Sequence, residues 1–526
     1  MSKLSKLLYM TFTFSCLTLS ACNGGHNQAD TTNTTTSNSI TQKTSNTKIY
    51  HVGPTQSYTT LKQVSGLLQP GDTVFVDGDA EYIGGVSFSN NGTESQPISI
   101  IGVTINGKQP VIRADTKSNQ NLLVFYGNHY VLDNFEIVGN MSEVSNKALM
   151  TTRGINQISN DLTIRHCRVH NARNGIMASD LYSGNLTIEY SEIYSNGYAE
   201  GEHNIYIASD RVRVPNSVTT IRFNYIHDSL KGAGLKTRTS RNEIYYNWFA
   251  NNAQSEVDMY GADLGEGSDP IYDKNGSITG YSSDKHVTQE ELRQIDPYYA
   301  ENYLREDTDF VGNVVISNNK IKSLTIGGDG GSGGPTRNGT SFGRYRFVNN
   351  TFVNNFNPSD GRSYTGQIKF GVGSLEFYNN IFYNQYGTSI GFYFNDYNAN
   401  NDPHQTNSDL RWSNGRQIVA RNNWFKTGSK LPSEFLASSL SGSEPGFFAA
   451  NQNDYHLSVN NPLLTSGTTL TTNIFDDAIY FSNIGGNYVA DYAFINPLLA
   501  PEFYPLVPGE SQPVLRDPNL HSVGAF

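Results

Sequence analysis

The feature that most restricts this chain is a phrase that it keeps repeating. An aliphatic or aromatic residue is followed three positions later by Asn or a small residue, and two after that by another apolar residue. It reads Ile164, Cys167, Val169; then Ile188, Ser191, Ile193; then Ile221, Asn224, Ile226; then Ile244, Asn247, Phe249. After a gap it is expected as Ile316, Asn319, Ile321, and it follows as Phe347, Asn350, Phe352 and Phe377, Asn380, Phe382. Asn422-Asn423-Trp424-Phe425 is a weaker last copy. The step is 24 residues from Cys167 to Ser191 and 23 from Asn224 to Asn247. That is one turn of a three-sided coil whose short strands pair with the coils above and below. Inward aliphatics stack, and Asn at the bend bonds backbone that the turn leaves free. An antiparallel sandwich would not hold one phrase in register for so long. A hydrophobic share of 37%, with 49 Gly and 32 Tyr, suits many short strands and turns better than a large helical core.

The ends of the solenoid are also readable. From Ile49 a short strand is followed by TTLKQVSGLL, residues 59–68, with Leu61, Val64, Leu67 and Leu68 on one helical face, then a Pro70-Gly71 stop and a strand from Thr73. This resembles the N-terminal cap of right-handed parallel β-helices, and a cap is needed to cover the core and the unpaired strand edges. Residues 48–440 are expected to form the β-helix. Residues 441–526 lose the repeat and, from Gly446-Phe447-Phe448 to Val523-Gly524-Ala525-Phe526, resemble the closing segment of bacterial β-helix proteins, expected to pack along the solenoid and cover its C-terminal end. The stretch 261–310 breaks the pattern. Thr288 to Glu291 resembles a capping box ahead of Leu292, Ile295 and Tyr299, so a helical insertion is expected there.

Residues 1–21 read as an export signal: Lys3 and Lys6, an apolar run from Leu7 to Leu19, and Ala21. Leu19-Ser20-Ala21-Cys22 resembles the lipobox of bacterial lipoproteins, which implies lipidation at Cys22 and, with Asn23 next, an outer-membrane lipoprotein. Residues 22–47, rich in Thr, Asn and Ser, read as a flexible tether. Nothing after residue 21 is apolar for long enough to span a bilayer. Only Cys167 then remains, so neither a disulfide framework nor a cysteine-based zinc site is available, and it is expected to be a packed core residue.

Charge points to the site. The chain is acidic overall, with a formal net charge of -11, yet Arg211, Arg213, Arg222, Lys231, Lys236, Arg238 and Arg241 face Asp228 as the only acid from 211 to 241. A basic island in an acidic, exported protein suggests an anionic substrate and argues against nucleic acid. Stacked coils turn outward polar residues into a linear groove, which suits a polymer. Three successive coils are expected to contribute Glu202, His203, Asn204 and Tyr206, then Lys236, Arg238 and Arg241, then Glu256, Asp258 and Tyr260.

HNIYI, NYIHD, GLKTRTSRNEIYYN and FVNNTFVNN resemble the right-handed parallel β-helix proteins of the pectate-lyase-like superfamily. GLKTRTSRNEI is similar to the Lys-Ser segment of the chondroitinase B and alginate lyase family, which implies that Lys236 is the catalytic base. Where that family carries an Arg on the following coil, this chain has Val257-Asp258-Met259-Tyr260. The implied activity is cleavage of an anionic, uronate-containing polysaccharide by β-elimination. That chemistry needs a neutralised carboxylate, a base for the C5 proton and an acid for the leaving oxygen. Arg238 or Arg241 is expected to clamp the carboxylate, Lys236 to have its pKa lowered by those neighbours, and His203 or Tyr206 to supply the acid. Asn204, Arg213, Tyr260 and Arg222 are expected to bind substrate. Glu202, Glu256, Asp258 and Asp263 are a candidate oxygen-ligand site for Ca²⁺. A glycoside hydrolase working through an acidic pair such as Asp258 with Glu202 or Asp263, and a non-catalytic glycan-binding solenoid, stay open as alternatives. A monomer is expected.

Overall fold

The computed structural model describes residues 47–115, 120–180, 182–209, 214, 217–260, 269–272, 278–282, 307–318, 323–327, 344–357, 365–368, 374–386, 392–394, 418–431, 433–436, 438–470, 498 and 500–526. Three long parallel sheets run through the unit from Thr47 to Phe526, two of twelve strands and one of ten. Between its two ends, each turn of chain lays one strand on each sheet in a fixed order. In one turn these are Arg241–Tyr245 on the first sheet, Trp248–Ala250 on the second and Val257–Tyr260 on the third. This is a right-handed parallel β-helix, the hand expected of parallel crossovers.

The repeated phrase is the corner between the first and second sheets. Ile188, Ile221, Ile244, Phe310, Phe347 and Phe377 pair in register and point inward on the first sheet. Ile193, Ile226, Phe249, Val315, Phe352 and Phe382 do the same on the second. Toward the C-terminus the aliphatic stack becomes aromatic, with ring centroids 4.9 Å apart for Phe347–Phe377 and 5.0 Å for Phe352–Phe382. Between the two columns lies an asparagine ladder. The backbone N–H of Asn224, Asn247, Asn313, Asn350 and Asn380 each donates to the Oδ1 of the next member, ending on Asn423, at 2.9–3.0 Å. Each Nδ2 in turn donates to a carbonyl of the coil before, as Asn247 does to Ile221 at 2.8 Å. The residue ahead of each ladder member turns the corner with positive φ, at Phe223 (57°) and Tyr246 (60°) among others. That conformation is costly for bulky L-residues, and stacking of these two rings at 5.1 Å offsets part of the cost.

Two expectations are corrected here, the fifth copy of the phrase and the form of the cap. The fifth copy of the phrase is Phe310, Asn313, Val315 rather than Ile316, Asn319, Ile321: Asn313 occupies the ladder, while Asn319 lies outside the described residues. The cap is a single 3-10 turn, Leu61–Gln63, rather than a helix over 59–68. Leu61, Val64 and Leu68 are buried, but Leu67 is 47% exposed, because one turn covers the narrow end of a three-sided coil. Described parts of the 261–310 insertion form an antiparallel hairpin of Asp269–Tyr272 with Ile278–Ser282, and the solenoid resumes at Asp307, which pairs with Arg241. The segment expected to be helical, around 288–299, lies outside the described residues, as do the signal, Cys22 and nearly all of the tether.

The C-terminal end of the core is closed before residue 440. Phe435, on the short helix Ser433–Leu436, is fully buried against Phe377 and Phe425. The described parts of 441–526 instead line the outer face of the second sheet, where Leu463, Val523, Ala525 and Phe526 cover Trp248, Val314, Ile316, Ile381 and Trp424. Corner asparagines hold this tail: Asn349 donates to the Ser522 carbonyl, Asn379 to Thr468 and Asn422 to Ser466. Cys167 is buried at an inner corner position, and burial pushes its thiol up to about 12, so it is core and not nucleophile. Among the described residues no helix is long and apolar enough to cross a membrane.

Candidate active site

The third sheet carries the strip expected from the charge pattern. Alternation sends Ile205, Leu235 and Val257 inward, so Tyr206, Lys236 and Asp258 fall in one outward column, paired strand to strand. Lys236 Nζ lies between two phenol rings, 5.2 Å from the Tyr206 centroid and 5.3 Å from that of Tyr260. Arg238, two residues on and also outward, places its guanidinium 5.2 Å from the centroid of the same Tyr260 ring. Two cations share one aromatic ring, and a second ring flanks the lysine, which holds the amine by attraction to π-faces and its aliphatic stem by packing. Asp258 is 1% exposed and accepts from Ser255 Oγ at 2.7 Å.

Arg241 does not join this strip. Thr239 and Ser240 turn the corner between the third and first sheets, so Arg241 starts the next strand on a different face. It is 2% exposed and ion-paired to Asp307 at 2.9 Å and Asp309 at 2.5 Å, partners more than sixty residues away in sequence. Those carboxylates hold the guanidinium charged despite burial, and it is not available to a substrate. Arg222 is likewise on the first sheet, paired with Glu189, and is not a substrate contact of this strip. The crowding expected around Lys236 therefore comes from Arg238 and not from Arg241. Arg213 and Asp263 lie outside the described residues.

Asn204 and Glu256 point the other way. Asn204 is fully buried and forms a second inner ladder, donating to Asn252 Oδ1 at 2.9 Å and to the His227 carbonyl at 2.8 Å. Glu256 ends that ladder: it accepts from Asn252 at 2.7 Å through one oxygen and from Ser317 at 3.0 Å through the other. Neither is a substrate or metal ligand, because both serve backbone and side chains inside the coil. Glu202 is outward but already engaged. Arg173 donates to it through Nε at 2.8 Å and again through Nη2, Lys147 approaches to 3.6 Å, and the Tyr198 N–H donates at 3.2 Å. The described members of the expected Ca²⁺ set are thus split, Glu256 inside the coil and Glu202 and Asp258 outside, and each already accepts from a protein donor. Among the described residues no three His, Cys, Asp or Glu side chains gather for a metal. The described members of the expected set, Glu202, Glu256 and Asp258, do not come together as one site.

His203 is adjacent to the strip but is no acid. It is 2% exposed, and Nδ1 accepts the Ala233 N–H at 2.9 Å. Burial first, then Lys236 and Arg238, lower its pKa to about 3, so the ring is neutral at ordinary pH and has no imidazolium proton to give. Its ring is 5.7 Å from that of Tyr206.

Arg173, Asp307 and Asp309 were the partners that the sequence reading missed. Arg173 was legible: Ile176 and Ile205 are paired, and counting three residues back from each puts Arg173 beside Glu202. The aspartates were not, since they follow the insertion and no short-range pattern links them to Arg241.

No protein-family model matches the sequence, and no curated protein matches it. Solved structures do. A pectate lyase, Pel9A, is 12% identical with a TM-score of 0.48, over 81% of this chain and 92% of its own. An alginate lyase from Paenibacillus sp. str. FPU-7 is 13% identical with a TM-score of 0.40, over 66% and 98%. A PL6 family polysaccharide lyase from Pseudopedobacter saltans is 13% identical with a TM-score of 0.32, over 78% and 95%. The assignment as a right-handed parallel β-helix stands on the three sheets of the chain itself.

Proposed function

We propose that this chain is a polysaccharide lyase that cleaves a uronate-containing polymer by β-elimination. The observation that carries the reading is Lys236, held outward between Tyr206 and Tyr260 beside Arg238 on a linear sheet face. In the step, Arg238 neutralises the uronate carboxylate and makes the C5 proton acidic. The Lys236 amine takes that proton, the C5–H electrons become the C4–C5 double bond, and the C4–O bond breaks. Tyr206 O–H protonates the leaving oxygen, a role that the buried neutral His203 does not fill. The acid pair needed for hydrolysis is not favoured, since Glu202 is committed to Arg173 and Lys147. In the cell we place the enzyme on the outer membrane of a bacterium, as a monomer held by a lipid on Cys22.

The test is a screen of purified protein against alginate, chondroitin, pectate and bacterial capsular polymers, read by the ultraviolet absorbance of an unsaturated uronate, with and without chelator. Lys236→Ala is expected to remove about 10²–10⁴-fold of the rate. Reducing sugar released without ultraviolet gain would mean a hydrolase, and binding with no product a glycan-binding solenoid.

A further inference from the structure

The backbone of His203 is pinned on both sides: its N–H donates to Asn174 Oδ1 at 3.0 Å and its carbonyl accepts from Gly175. The ring is fixed by the Ala233 N–H on Nδ1. A backbone N–H only donates, so Nδ1 carries no proton, and the neutral ring must carry its proton on Nε2. The covering turn is drawn in tightly, for a Cβ on Gly232 would lie 2.6 Å from Nδ1. Glycine there permits the lock. Among the described residues, every hydrogen bond of the ring is made through Nδ1. Facing the ring are Lys236 and Arg238 from the next strand, and Tyr206 from its own. Glu202, the residue before it, is turned to Arg173 and Lys147. A protonated ring would be a third cation in the row with no acid committed to it.

We propose that His203 is a permanently neutral positioning donor, whose Nε2–H bonds an oxygen of the uronate seated on Lys236 and takes no part in proton transfer. The ligand in this statement rests on the lyase reading; the tautomer does not. Histidine-selective ¹⁵N labelling of the full chain, with His203→Gln to assign the signal, is expected to show a neutral Nε2–H ring that does not titrate between about pH 5 and pH 8. A ring that titrates in that window, or carries its proton on Nδ1, overturns the proposal. Gln offers an oxygen to the Ala233 N–H and an N–H to the ligand; Phe offers neither. With size-defined alginate and pectate fragments, His203→Phe is expected to weaken binding and raise KM about tenfold, with His203→Gln restoring most of it. The acid limb of the pH–rate profile should not move in either variant. Binding by His203→Phe equal to wild type, or loss of that limb, overturns the contact. If wild type neither binds nor cleaves any uronate, the lyase reading falls with the ligand contact, while the nuclear resonance result still decides the tautomer.

Discussion

Lys236 and Arg241 are five residues apart on one basic stretch, yet they belong to different environments. Lys236 lies half-buried on the third sheet with aromatic neighbours. Arg241 opens a strand of the first sheet, where Glu243, Asp309, Arg346 and Glu376 line up coil after coil, and Asp309, Arg346 and Glu376 are fully buried. Asp309 pairs with both arginines, and the Leu498 N–H also reaches its carboxylate at 3.4 Å. Charge on a solenoid face is therefore not one thing. Where it is covered and paired with acid it fixes coils to one another, and where aromatics hold it at the surface it can meet a ligand.

The contrast is sharpest in paired substitutions. Lys236→Ala should abolish most turnover, about 10²–10⁴-fold, while changing unfolding free energy by less than about 1 kcal/mol. If denaturant melts show it to be the more destabilising of the two, the distinction collapses. Arg241→Gln should cost about 3–5 kcal/mol in chemical denaturation, because Asp307 and Asp309 keep their charge and lose their partner. Unchanged stability in that variant would mean that the first-sheet cluster is not structural. Asn313→Ala, which touches no charge, should cost about 1–3 kcal/mol by leaving ladder N–H and carbonyl groups unsatisfied. Equal cost for Asn319→Ala would put the wrong residue in the ladder.

The His203 pKa gives a pH test on the site side. Its folded value, about 3, lies below the ordinary histidine value, so the unfolded chain binds the extra proton first. The associated stability is complete above the unfolded pKa and is lost as pH falls toward 3. Between those limits His203→Gln should lessen the slope of stability against pH by at most about 1.4 kcal/mol per pH unit. An unaltered slope would mean that the ring is not held neutral. The smallest effect is expected at Arg222→Ala, about 1 kcal/mol with no loss of turnover, since Arg222 is itself exposed to solvent although its partner Glu189 is buried. A large loss of activity there would return the first sheet to the site.

The repeat was legible because inward stacking and corner asparagines demand the same residue types every coil, whatever loops lie between. It fixed the fold class and the inner columns, and the local excess of cations marked the coil on which Lys236 and Arg238 share an outward face. Residues flanking the strands were harder. Asn204 and Glu256 read as polar and therefore outward, whereas both sit where the chain enters the third sheet and bond inside the corner. The insertion also hid the true fifth copy, because Gly312 stands where other coils have a larger residue and Ile316 to Ile321 imitates the phrase.

By itself, then, the sequence determined a parallel solenoid and the coil on which its basic residues cluster. Only the tertiary structure decided which of those residues share a face. A side chain's direction depends on where each corner falls, and one residue of difference at a corner sends it to another sheet or into the core. The partners that decide between a structural and a functional charge come from coils tens of residues away, as Asp307 and Asp309 do for Arg241.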